Sequence, residues 1–152
     1  SGYADEISEM ISENFPDYVY TLAAVEDKDW EMYFKGLYPD NYEYQSIMNM
    51  RLIEAIKNDG DSLVPRILEH CLYVKTEEQR KAFLTKVIEK GFQRLESGSN
   101  DDSEAYDTEY PYQLVVGRED DFENIDEIVW YLMDLAEEYD GVYDGWGCIA
   151  VK

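Results

Sequence analysis

His70 and Cys71 stand side by side, and a second thiol, Cys148, lies near the other end of the chain. A thiol next to an imidazole is the raw material of nucleophilic catalysis. The neighbourhood argues against that use. Residues 69–75 read as a strand, and adjacent strand residues point to opposite faces, so the two side chains diverge. His70, the single histidine, is then expected to be structural or to lie on the surface. The alternative is a small hydrolase or ligand-binding domain using Cys71 and His70, which requires both groups to converge in a pocket. Neither cysteine belongs to a C-x-x-C pair, so two free, half-buried thiols in a reducing cytoplasmic setting are expected. Cys71 and Cys148 would approach each other if the first and last strands of one sheet are neighbours.

Carboxylates are abundant, but their spacing carries no chemistry. Asp59, Asp61, Asp101, Asp102, Asp120 and Asp121 do not fall into the twelve-residue calcium loop that ends in a bidentate Glu. No glycine-rich phosphate loop, Gly-x-Ser-x-Gly elbow or His-Glu-x-x-His motif occurs. Paired carboxylates for hydrolysis are uninformative in so acidic a chain. No catalytic residue, metal or cofactor is expected.

A third group of residues fits recognition better than catalysis. Tyr139 to Gly147 places two Asp-Gly steps around Val142-Tyr143, with Trp146 immediately after the second. Asp-Gly is turn chemistry, because Gly accepts positive φ and Asp hydrogen-bonds its own backbone. An ordered indole serves equally as an interface anchor or a core plug. Tyr143, Asp144, Trp146 and Asp140, with Arg66 and His70, form the candidate partner-binding set. Arg66 is also placed to pair with Glu69 or Asp61.

The elements that position these residues follow from apolar periodicity. Residues 4–14 read as a short helix, and 18–38 as a hairpin in which Trp30, Met32 and Phe34 alternate with polar neighbours. Residues 44–57 carry Ile47, Met48, Leu52, Ile53 and Ile56 on one helical stripe, and Gly60 suits the left-handed position beyond it. A strand at 69–75 leads to Thr76, an N-cap with Gln79 completing a capping box. The helix that follows presents Phe83, Leu84, Val87 and Ile88 and stops at Gly91. Strands are expected at 91–96 and 112–118, separated by a polar, acidic connector at 97–110. A helix at 122–138 and a last strand at 143–151 complete the order strand, helix, strand, strand, helix, strand. That is an α+β fold, the ferredoxin-like split βαβ sandwich, with an antiparallel sheet carrying two helices on one face. The other face must meet solvent, the N-terminal segment or a partner. Residues 1–45 are expected to be an extension packed on a main domain at 46–152.

The chain has 152 residues, enough for one domain without a metal or disulfide staple. Its 35 acidic residues outnumber 13 basic ones, for a net charge of −22. Such a field repels polyanions, so direct nucleic-acid binding is not expected, and a basic protein segment is the fitting partner. No stretch approaches the ~20 apolar residues of a membrane span. No secretory signal is seen, so the expected location is cytoplasmic.

Two stretches resemble one family. The first is Asn58-Asp59-Gly60-Asp61-Ser62, then Arg66, then Glu69-His70-Cys71-Leu72-Tyr73-Val74, followed by the amphipathic helix and Gly91-Phe92. The second is Leu135-Ala136-Glu137-Glu138-Tyr139-Asp140 running into Tyr143-Asp144-Gly145-Trp146-Gly147. Together they resemble the regulator of ribonuclease activity B family, the ribonuclease E inhibitor proteins of bacteria, over about residues 47–152. The resemblance implies a ferredoxin-like, acidic, cytoplasmic protein that is not an enzyme. It also implies a protein partner, a ribonuclease E-like enzyme bound through its non-catalytic region so that RNA degradation slows. A monomer or weak homo-oligomer is expected, and a self-associating structural module is the remaining reading.

Overall fold

The computed structural model describes residues 2–23, 25–95 and 109–152. The described chain folds as two compact units, Ser1–Pro39 and Asp40–Lys152. The predicted connector at 97–110 lies, apart from its last two residues, outside the described residues.

The first unit holds α1 (Gly2–Asn14) and α2 (Glu31–Gly36), neither with a buried residue. α2 corrects the expected hairpin at 18–38: among the described residues there is no strand in that stretch. The Asp27 carboxylate accepts from the amides of Glu31 and Met32 at 2.8 and 2.9 Å, which satisfies donors that open a helix. Helical spacing then brings Trp30, Tyr33 and Phe34 into edge-on contacts. The alternation of Trp30, Met32 and Phe34 mimicked a half-buried strand, but no core lies beneath it to reward that pattern.

The second unit opens with α3 (Asn41–Asn58). Asp40 and Glu43 close a capping box at its start, a D-x-x-E signal that places the boundary earlier than the expected residue 44. β1 (Arg66–Val74), α4 (Glu77–Glu89), β2 (Gln93–Leu95), β3 (Tyr112–Asp120), α5 (Ile125–Glu138) and β4 (Val142–Cys148) follow. The strands form one antiparallel sheet in the order β2-β3-β1-β4. This is the expected ferredoxin-like α+β arrangement. Thr76 and Gln79 make the expected capping box of α4, and Gly60 and Gly91 take the positive φ beyond α3 and α4.

One face of the sheet is buried. Leu68, His70, Leu72 and Val74 of β1 point into it, with Leu114 and Val116 of β3 beside them. Phe83 and Val87 of α4 and Ile128, Leu132, Leu135 and Ala136 of α5 form one apolar cluster over this face. Leu68, Phe122, Ile125 and Val129 form a second, against which Ile53 and Ile56 of α3 pack. α3 thus widens the helical layer beside α5. The turn from α5 into β4 is tight: a Cβ at Gly141 would sit 2.7 Å from the Tyr73 carbonyl oxygen. The left-handed residue of that Asp-Gly step is Asp140, at φ 50°. Gly141 is there for room rather than for its φ.

Candidate functional site

The candidate residues sort by the face of the sheet they occupy. His70 pairs across the ladder with Val116 and Trp146 and is fully buried. Its Nδ1 shares a hydrogen bond of 2.9 Å with Tyr143 Oη, and its ring meets Phe92 edge-on. Its Nε2 has no hydrogen-bond partner among the described residues. Burial, with the Arg118 charge as a smaller contribution, drives the imidazole pKa down to about 3. His70 is therefore neutral and structural, and it has no surface to offer a partner. Cys71 points to the opposite face, where its sulfur accepts from Gln113 Nε2 at 3.3 Å. The two side chains therefore do not meet, and the convergence that the hydrolase or ligand-site alternative requires of Cys71 and His70 is not made by them.

Tyr143 and Trp146 face the helices. Burial pushes the Tyr143 phenol upward, and its hydroxyl is held by His70. Trp146 packs on Phe122 and donates from Nε1 to Asn49 Oδ1 at 2.8 Å. Asn49, 1 % exposed, also accepts from Gln45 and donates to Asp126 Oδ1 at 2.7 Å. One amide thus joins α3, α5 and β4. Both aromatics are half-buried, packed against the core with their polar ends bound internally. Asn49 and Asp126 were missed by sequence reasoning. The one available signal was a polar residue between Met48 and Leu52 on the apolar stripe of α3.

Arg66 is a structural counter-charge. It grips Asp61 through two nitrogens at 2.6 and 2.7 Å, donates to the carbonyls of Val64 and Ile149, and lies over the Phe122 ring. Asp61 also accepts from the amides of Leu63 and Val151. The Arg66 hydrogen bonds hold the Asp61 carboxyl far below the usual carboxylate range, with the two amides adding to the effect. The clasp ties the start of β1 to the segment that follows β4. It uses Asp61, one of the two acids expected.

The remaining candidates are at the surface. Asp144 and Asp140 are exposed. Asp144 occupies the irregularity where β4 slips against β1 between Cys71 and Leu72, so it is the extra residue of a β-bulge. It helps to line a depression of about 520 Å³ that also takes in Glu69, Cys71, Gly145 and Gly147, with His70 and Cys148 reaching it as well. A Cβ added at Gly145 or Gly147 would meet nothing within 4 Å. Cys71 and Cys148 are both half-buried. Cys148 pairs with Leu68 on the helix side and Cys71 with Gly145 on the open side. Neighbouring strands therefore do not bring the two sulfurs onto one face. Burial raises the Cys148 thiol against the pull of Arg66. Among the described residues no His, Cys, Asp or Glu side chains gather as metal ligands, and no helix is long and apolar enough to cross a membrane.

The family model described as "Regulator of ribonuclease activity B" matches residues 46–148. The chain belongs to this family. The match begins inside α3 and ends on the last residue of β4, so it takes in the whole sheet, the Asn49–Trp146 bridge and the Asp61–Arg66 ion pair. Comparison with the curated proteins returns no match. The family is one of regulators of ribonuclease activity, and the segment matched here holds the whole four-stranded sheet.

Proposed function

We propose that this chain is a non-enzymatic regulator that binds a ribonuclease E-type enzyme through that enzyme's non-catalytic region and slows RNA degradation. The observation that carries this reading is the family match over residues 46–148. Its chemistry agrees with the rest of the chain. A net charge of −22 disfavours contact with RNA itself and favours a basic protein segment. The open face carries exposed Glu69, Glu119 and Asp144. Regulation then comes from occupying a partner rather than from turning over a substrate, in the cytoplasm where such an enzyme works.

The reading is tested by reconstitution. The ribonuclease E-type enzyme of the source cell is assayed on a long RNA with and without this protein, and binding is followed at rising salt. Slower cleavage and salt-sensitive binding are expected, both lost when the non-catalytic region is deleted. No binding and no change in cleavage rate would overturn it.

A further inference from the structure

β4 is an edge strand: β1 lies on its inner side, and among the described residues no strand lies beyond it. Among the described residues no hydrogen bond reaches the outer backbone groups of Val142–Cys148. An unpaired row of N–H and C=O groups is a template for another extended chain. The surface beside this row has an unusual shape. Gly147 stands opposite Glu69 on β1, and Gly145 opposite Cys71. Neither glycine has a neighbour within 4 Å of the space a side chain would fill. A lane therefore runs from the outer edge across Gly147 to the exposed Glu69 carboxylate.

We infer that the outer edge of β4 accepts an extended basic segment of a partner protein as a fifth strand, with a Lys or Arg laid across Gly147 onto Glu69. The reach is right. Adjacent strands sit about 4.8 Å apart, so a residue on an added strand lies two spacings, about 10 Å, from Glu69. An extended Lys or Arg stem and a Glu side chain span that together, provided the residue between them has no side chain. Asp144, exposed on the bulge, supplies a second carboxylate on the same rim. No Lys or Arg is among the described residues that line the depression. Charge also decides against a second copy of this chain, because pairing two β4 edges would bring the Asp144 and Glu69 carboxylates of both copies together. The inference deepens the proposed function and rests on it for the partner being a protein.

The probe is a ten-residue peptide alternating Thr and Lys, titrated into the full-length protein while backbone amide shifts are followed by NMR. Shifts concentrated on Val142–Cys148 are expected. Binding should weaken at least about tenfold for Gly147→Leu, for Glu69→Lys, and for a peptide N-methylated at alternate residues, with both variants showing wild-type circular dichroism. Absence of binding, equal binding by Gly147→Leu, equal binding of the methylated peptide, or shifts centred elsewhere would overturn the inference. The ribonuclease assay separates the two readings. If the wild-type protein regulates the enzyme and both variants regulate it equally, the edge inference fails and the function stands. If the wild-type protein leaves the enzyme unaffected, the proposed function fails whatever the peptide does.

Discussion

The buried imidazole makes stability depend on pH below its ordinary pKa of 6.5. His70 has a folded-state pKa of about 3 against an ordinary value of 6.5. Above pH 6.5 both states are neutral at this position and it makes no difference. Below 6.5 the unfolded chain takes up a proton that the folded chain refuses, so stability falls as pH falls, until the folded pKa is reached. The slope approaches about 1.4 kcal/mol per pH unit, and the loss between pH 7.5 and 4.5 comes to about 2–3 kcal/mol. The perturbation is the double substitution His70→Leu with Tyr143→Phe, which removes the imidazole without stranding the buried hydroxyl. Replacing both partners of a buried hydrogen bond by apolar groups of like shape is close to neutral. Urea unfolding at pH 7.5, 6.5, 5.5 and 4.5 should show the two proteins nearly equal at pH 7.5 and separating by about 2–3 kcal/mol at pH 4.5, the wild type being the less stable relative to its own pH 7.5 value. Effects of the many surface acids are common to both and cancel in the difference. Parallel curves would refute the reasoning, since they would mean that His70 titrates normally in the folded protein.

Other substitutions probe the remaining supports. Asn49→Ala strands the Trp146 N–H and loosens Asp126, and should cost about 2 kcal/mol in urea unfolding. Gly141→Ala forces a methyl against the Tyr73 carbonyl and the Val74 side chain, and should cost about 1–3 kcal/mol, read as a lower melting temperature. Asp61→Asn removes the charge that Arg66 grips, and faster hydrogen exchange at the Val151 amide is expected, with β1 and β3 little changed. Asp27→Ala should unwind α2 and reduce helical circular dichroism.

The second unit was legible because its segments carry strong local signals that agree with one another. Thr76 with Gln79, Gly91, the stripe at Ile125 to Ala136 and the alternation around Leu72 each select one local conformation, and their order selects the sheet. Residues 18–38 were misread for a related reason. Alternation is evidence for a strand only when one face has something to pack against, and this segment buries nothing, so the Asp27 cap and helical aromatic contacts prevail. The candidate site was half legible. The facing of His70 and Cys71 followed from strand geometry alone. The roles of Tyr143 and Trp146 did not, because a partner and a core make the same demand on an aromatic side chain.

From residue types and spacing alone came the strand and helix order of the second unit, the strong negative field, the divergence of the thiol and imidazole, and the family. Those properties are local or additive, so they are visible along a line. Only tertiary structure decided that the closing indole is tied to Asn49, that Arg66 closes on Asp61 and the backbone of residue 149, and that the glycines of β4 open onto Glu69. Each of these depends on which residues meet across the sheet or between helices. Register and helix packing settle such meetings, and no short window of sequence contains them.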